Sequence, residues 1–297
     1  MSAGTAIALV LAVVSTTLIN IAFLREHDAV ASLPALRMRR PLQSAQLLLA
    51  NRPWLLGFAM ETTGFLLYAV ALALAPLALV QSIAAGGIGV LAYLSARMRR
   101  RRLSRQEAAG VLLSVVGLLA LAVSLAGGSG DGDHGTTGSI LLWLAVSAAI
   151  ALLALSVGRR LIGVAVANAV AGGLFFSIGD VSTELATEGG ARIGFAITLI
   201  LGYVLGTALL QAGYQAGTAL TVAGIATLLT NAVPIAAGTI VLNEPVPSGA
   251  LGGLRILAFA AVSVGAFLLA RPDRAQSLGV APVDGPCDQR VAPERAS

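Results

Sequence analysis

Glu61 is the residue whose type and position most directly suggest chemistry. It lies about seven positions inside an apolar run from Trp54 to Ala75, where an ionised carboxylate is costly unless it is paired or hydrated. Such a group is suited to carrying a proton, or to staying ionised as the ligand of a divalent cation. The structural alternative is a shallow carboxylate that snorkels or caps near the cytoplasmic surface. Arg255 sits about five residues into the last apolar run. It can reach a carboxylate, a substrate phosphate or the headgroup layer, with Glu244 as a possible partner, and a simple interfacial snorkel explains it as well.

Asp180, Ser182 and Glu184 cluster at the end of another run. They could gather cations or form an ordinary solvated helix end. Asn20, Tyr68, Gln81, Asn168, Tyr203, Gln211, Thr227, Thr230 and Asn231 place polar groups inside apolar segments. Each can bind a substrate, bridge two helices or satisfy a backbone group. Asn231 stands out because Pro234, three residues on, withholds an intrahelical hydrogen bond from the Thr230 carbonyl and leaves acceptors for a site wall. His27 and His134 have no ligand-spaced partners. Cys287 is the only cysteine, so the chain forms no internal disulfide or thiolate cluster.

The elements that must position these residues are membrane helices. With 57% hydrophobic and 11% charged residues and a mean hydropathy of +0.88, the 297-residue chain cannot cover a soluble core with polar surface. In hydrocarbon every backbone polar group needs an internal partner, and runs of about 20 residues achieve this as α-helices. The expected fold is all-α, a polytopic bundle of nine spans: 4–24, 54–75, 76–96, 107–127, 139–158, 161–180, 193–211, 217–241 and 250–270. Segment 27–52 reads as an interfacial helix and is the one place for a tenth span. The tail 271–297 reads as disordered and cytoplasmic.

All 19 basic residues are arginine, and 17 of them fall in gaps that alternate insertion assigns to one side. The positive-inside bias then places the N-terminus outside and the C-terminus in the cytoplasm of a cell-membrane protein. The opposite loop, 128–138, contains Asp131 and Asp133 and no arginine. A pI near 10.3 is compatible with nucleic-acid binding, but the arginines cluster at helix ends without interleaved aromatics. Anionic lipid headgroups are the better partner.

The two halves repeat a pattern. Gly64 to Ala75, the segment Pro76-Leu77-Ala78-Leu79-Val80-Gln81, a basic turn and Gly110 to Gly117 correspond to Gly202 to Gly213, the segment Gly217-Thr218-Ala219-Leu220-Thr221-Val222, a turn at Asn243-Glu244-Pro245 and Gly253 to Gly265. Alternation places the equivalent turns on opposite sides. This is the signature of an inverted repeat, with 1–127 as one unit and 139–270 as the other. Glycine pairs such as Gly202 and Gly206, Gly213 and Gly217, and the Gly86, Gly87, Gly89 group suit close helix packing.

Ala75 to Gln81 with Ala109 to Gly117, and Thr230 to Pro234 with Val241 to Pro245, resemble the drug/metabolite transporter superfamily, in particular its EamA-like members. The likeness covers about residues 54 to 270. Met60-Glu61 ahead of Tyr68 and Ala75-Pro76, with nine spans, is similar to the NIPA-type magnesium transporters. The resemblance implies two helical repeats around a central pathway, and a magnesium or other divalent-cation role for the fainter likeness, with Glu61 as the metal-facing residue.

There is no HExxH, no G-x-S-x-G and no lysine for a Walker motif, so nothing supports an enzyme or a bound cofactor. The sequence therefore points to a secondary transporter of small metabolites or ions that works by alternating access and is a candidate for proton coupling. Glu61, Tyr68, Gln81, Thr230, Asn231 and Arg255 are expected to line the pathway. A divalent-cation transporter, a lipid-linked metabolite flippase and a non-transporting scaffold are the alternatives. Substrate identity, direction and homo-oligomerisation stay open.

Overall fold

A computed structural model describes residues 3–36, 40–74, 80, 83–84, 86–98, 100, 102–125, 136–187, 190–241 and 249–270. They form helices α1 (Ala3–Ala31), α2 (Pro41–Ala50), α3 (Arg52–Leu74), α4 (Gly87–Met98) and α5 (Arg105–Leu125). Next comes α6 (Thr137–Leu153), which continues through a π turn, Ala154–Gly158, and a last helical turn, Arg159–Leu161. Then follow α7 (Val164–Thr187), a 3-10 segment (Gly190–Phe195), α8 (Ala196–Tyr214), α9 (Ala219–Ile240) and α10 (Ala250–Ala270). There is no strand among the described residues.

Eight of these helices are long and apolar enough to cross a membrane, and the chain is a multi-pass membrane protein. The expected span 76–96 lies partly outside the described residues, and its described part, α4, is shorter. Gln81, Asp131, Asp133, His134, Glu244 and the tail from 271 also lie outside them. At about 1.5 Å per residue, α2 is about 15 Å long, half of what a bilayer core requires.

The ends of the helices follow local hydrogen-bonding rules. Ser104 and Glu107 form a reciprocal capping box at α5, with Glu107 N–H donating to Ser104 Oγ at 3.1 Å and Ser104 N–H to Glu107 Oε2 at 3.0 Å. Thr136 and Thr218 accept from the backbone N–H groups of Ser139 and Thr221 and so begin α6 and α9.

One boundary differs in a way that matters for the site. The sequence suggests a first span ending at Leu24, because Arg25-Glu26-His27-Asp28 reads as a polar exit. The helix instead runs on through Ala31. Glu26 and His27 find partners within the protein and are buried, while Arg25 and Asp28 stay exposed on the other side of the same turns.

Packing follows the small residues. α1 lies along α3, α7 along α8 and α9, and α5 along α10. A Cβ on Gly202 would stand 2.7 Å from the Gly179 nitrogen and the Phe175 carbonyl oxygen, so only glycine permits this α7–α8 approach. The main apolar core gathers Leu24 and Val30 of α1, Ile88 and Leu91 of α4, Leu121 of α5, Leu220 and Leu228 of α9, and Val262 of α10. Large apolar side chains such as Phe65, Leu66, Leu142, Ile197, Ile256 and Leu257 point outward. That surface is a liability in water and an ordinary one in lipid.

Candidate functional site

The site begins with a close approach. Gly57 of α3 has no side chain, and a Cβ there would meet Glu26 Cγ at 2.7 Å, so the glycine clears the space that Glu26 occupies. Glu61 stands one helical turn further along the same face of α3. The carboxyls of Glu26 and Glu61 come within hydrogen-bonding reach of each other. Glu26 is fully buried, and its Oε2 accepts a hydrogen bond from Gln211 Nε2 of α8 at 2.6 Å. The pair belongs to the first half of the chain and is bonded by a residue of the second.

The remaining valences of this cluster are informative. Glu26 Oε1, Gln211 Oε1 and the Tyr214 hydroxyl are buried with no hydrogen-bonding partner among the described residues. Tyr214 lies within electrostatic reach of both carboxyls. Two facing carboxylates are both acceptors, so they cannot bond until a proton or a cation lies between them. An all-oxygen set with acceptors to spare is the chemistry of a hard cation or an exchangeable proton.

The same end of the bundle is tied shut around this cluster. His27 Nε2 contacts the Gly217 carbonyl oxygen at 3.0 Å, and its ring stands edge-on to Tyr214 at 5.7 Å. Gln215 donates to the carbonyls of Val30, Leu33 and Pro34 and accepts from Leu36 N–H at 2.9 Å. These bonds hold the end of α1 against the turn between α8 and α9. His27 is therefore part of α1 and is buried.

Among the other residues singled out by sequence, Tyr68 lies within electrostatic reach of Asp180. Asp180 Oδ1 accepts from the Tyr203 hydroxyl at 2.6 Å. Ser182 bonds Thr198 at 2.8 Å, which joins α7 to α8. Thr230 and Asn231 turn their donors onto their own helix, to the carbonyls of Ala226 and Thr227 at 2.9 and 2.7 Å. α9 continues through Pro234. Arg255 is 5% exposed and donates to the hydroxyl and carbonyl oxygens of Ser124 at the end of α5, at 3.3 and 3.4 Å. It belongs to the α5–α10 seam, while Glu61 belongs to the α1–α3 seam.

Glu26 is the main residue that the sequence does not single out, since it sits beyond the apparent end of its span. The signal that could have found it is the Gly57-x-x-x-Glu61 spacing, which marks a face of α3 that admits a neighbouring side chain beside a carboxylate.

Comparison with known proteins gives one informative likeness. The chain is 31% identical over 108 residues to the probable magnesium transporter NIPA9 of Arabidopsis thaliana, a match that covers 36% of this chain and 30% of that relative. The aligned part is thus less than a third of the relative's length. No family model matches, and no solved structure matches.

Proposed function

We propose that this chain is a secondary transporter of small metabolites or ions in the cytoplasmic membrane, working by alternating access, with the Glu26–Glu61 pair as its proton- or cation-handling centre. The observation that carries the reading is the Gln211–Glu26 bond across the two halves. It makes the charge state of the pair a term in how the halves sit against each other, as coupled transport requires. Glu61 and Tyr68 line the pathway from α3, with Thr230 and Asn231 of α9 as further wall residues.

Several contacts support a nine-span alternation with inverted repeats. The end of α1 meets the α8–α9 turn, Gln106 at the start of α5 donates to the Leu268 carbonyl at the end of α10, and Arg255 near the start of α10 meets the end of α5. Each contact joins gaps that alternation puts on one side. The α1–α3 and α7–α8 pairings then become equivalent and oppositely directed. The arginine-rich side is cytoplasmic by the positive-inside bias, leaving the N-terminus outside.

The likeness to a probable magnesium transporter favours a second reading, transport of magnesium or another divalent cation, for which the oxygen-only donors of the glutamate cluster are apt. A lipid-linked cargo finds less support, because Arg255 is buried against Ser124 rather than open to lipid. The test is uptake by proteoliposomes containing the full chain. Glu26→Gln and Glu61→Gln are expected to abolish cation uptake or proton exchange while the protein stays folded, and unchanged flux in both variants would refute the reading.

A further inference from the structure

From the placement of Tyr68, Asp180 and Tyr203 we infer a second cation-binding station on the pathway, formed by the Asp180 carboxylate and framed by the two tyrosines. The inference rests on the proposed transport function and adds a site to it.

The register of the helices carries the argument. Tyr68 follows Glu61 by two turns on one face of α3, and Tyr203 precedes Gln211 by just over two turns on one face of α8. At about 1.5 Å per residue both steps are about 10–12 Å. The same two helices that build the glutamate cluster therefore repeat polar groups at a second level, nearer the opposite side. At that level α7 supplies Asp180, and Tyr203 fixes one of its oxygens with a short hydrogen bond. Tyr68, packed in the first half of the chain against Ala8, Ala12 and Val80, lies within electrostatic reach of Asp180. Like Glu61, these three residues are only partly buried although they lie well within their helices.

The chemistry selects the occupant. A carboxylate with one oxygen held by a phenol presents its other oxygen to a small inorganic cation, and the phenol oxygens can complete the shell. Of the charged groups described at the two levels, those that are not exposed, Glu26, Glu61 and Asp180, are all acidic. A cation leaving one level thus meets a carboxylate at the next, while an anion is repelled at both. Glycine at 179 keeps Tyr203 close, since a Cβ there would lie 3.1 Å from its ring.

The test is a titration of the purified full chain with MgCl2 and, separately, NaCl at constant ionic strength, read by tyrosine ultraviolet difference absorption. The chain has four tyrosines, so Tyr68→Phe and Tyr203→Phe assign the signal. The expected result is a saturable change with at least one of the two salts, retained in the Glu26→Gln/Glu61→Gln double variant. Asp180→Asn should raise its half-saturation point by about tenfold or more, and Tyr203→Phe should remove most of its amplitude. If Asp180→Asn does not fold, Tyr203→Phe carries the test alone. A signal indifferent to Asp180→Asn and Tyr203→Phe overturns the second station, as does one lost only in the double variant or the absence of any signal. Transport that still depends on Glu61 in those cases leaves the proposed function standing.

Discussion

Gly57→Ala gives the sharpest check on how the glutamate pair is built. The added Cβ would lie 2.7 Å from Glu26 Cγ, 3.3 Å from its backbone nitrogen and 3.4 Å from the Ala22 carbonyl oxygen. Carbon atoms prefer about 3.5–4.0 Å, so Glu26 must move by roughly 1 Å, and overpacking of this kind costs about 1–3 kcal/mol. Alanine recovers about 1 kcal/mol of helix propensity over glycine. The net effect in the native background is then a loss of up to about 2 kcal/mol. In a Glu26→Ala background the clashing carbon is gone, and the same substitution should stabilise by up to about 1 kcal/mol. A double-mutant cycle by reversible detergent denaturation, followed by tryptophan fluorescence, measures the difference. An identical effect of Gly57→Ala in both backgrounds would refute the reasoning that Gly57 exists to seat Glu26.

Other substitutions probe the neighbouring seams. Gln211→Leu leaves Glu26 without its donor and should lower stability by about 1–3 kcal/mol in the same assay. Gly202→Ala forces apart the α7–α8 backbones and should cost about 1–3 kcal/mol, seen as a lower midpoint of thermal unfolding. Arg255→Lys keeps the charge but not the planar fork that reaches both Ser124 oxygens. It should destabilise by about 1 kcal/mol or more without changing cation binding at the glutamate cluster, as measured by metal titration.

The membrane character and the positions of most helices were legible because lipid imposes one dominant rule, internal satisfaction of the backbone, which writes itself as apolar length. Glu61 was legible for the same reason, as an exception within such a run. The extension of α1 was not, since a polar run such as Arg25-Glu26-His27-Asp28 looks like an exit until the partners that bury two of its members are known. Those partners, Gln211 and Gly217, are about 190 residues away, and one sequence carries no record of which distant residues meet. Arg255 shows the reverse case. Its depth in the span was evident, but its partner on α5, about 130 residues away, was not.

The measurement that bears most directly on the glutamate pair as the transport centre is the transient current of proteoliposomes on a solid-supported membrane after a jump in external Mg2+ or in pH. The protein should give a saturable current with at least one of these jumps, absent in Glu26→Gln, in Glu61→Gln and in the double variant. A current in the double variant equal to that of the native chain, or none above protein-free vesicles with either jump, would contradict it.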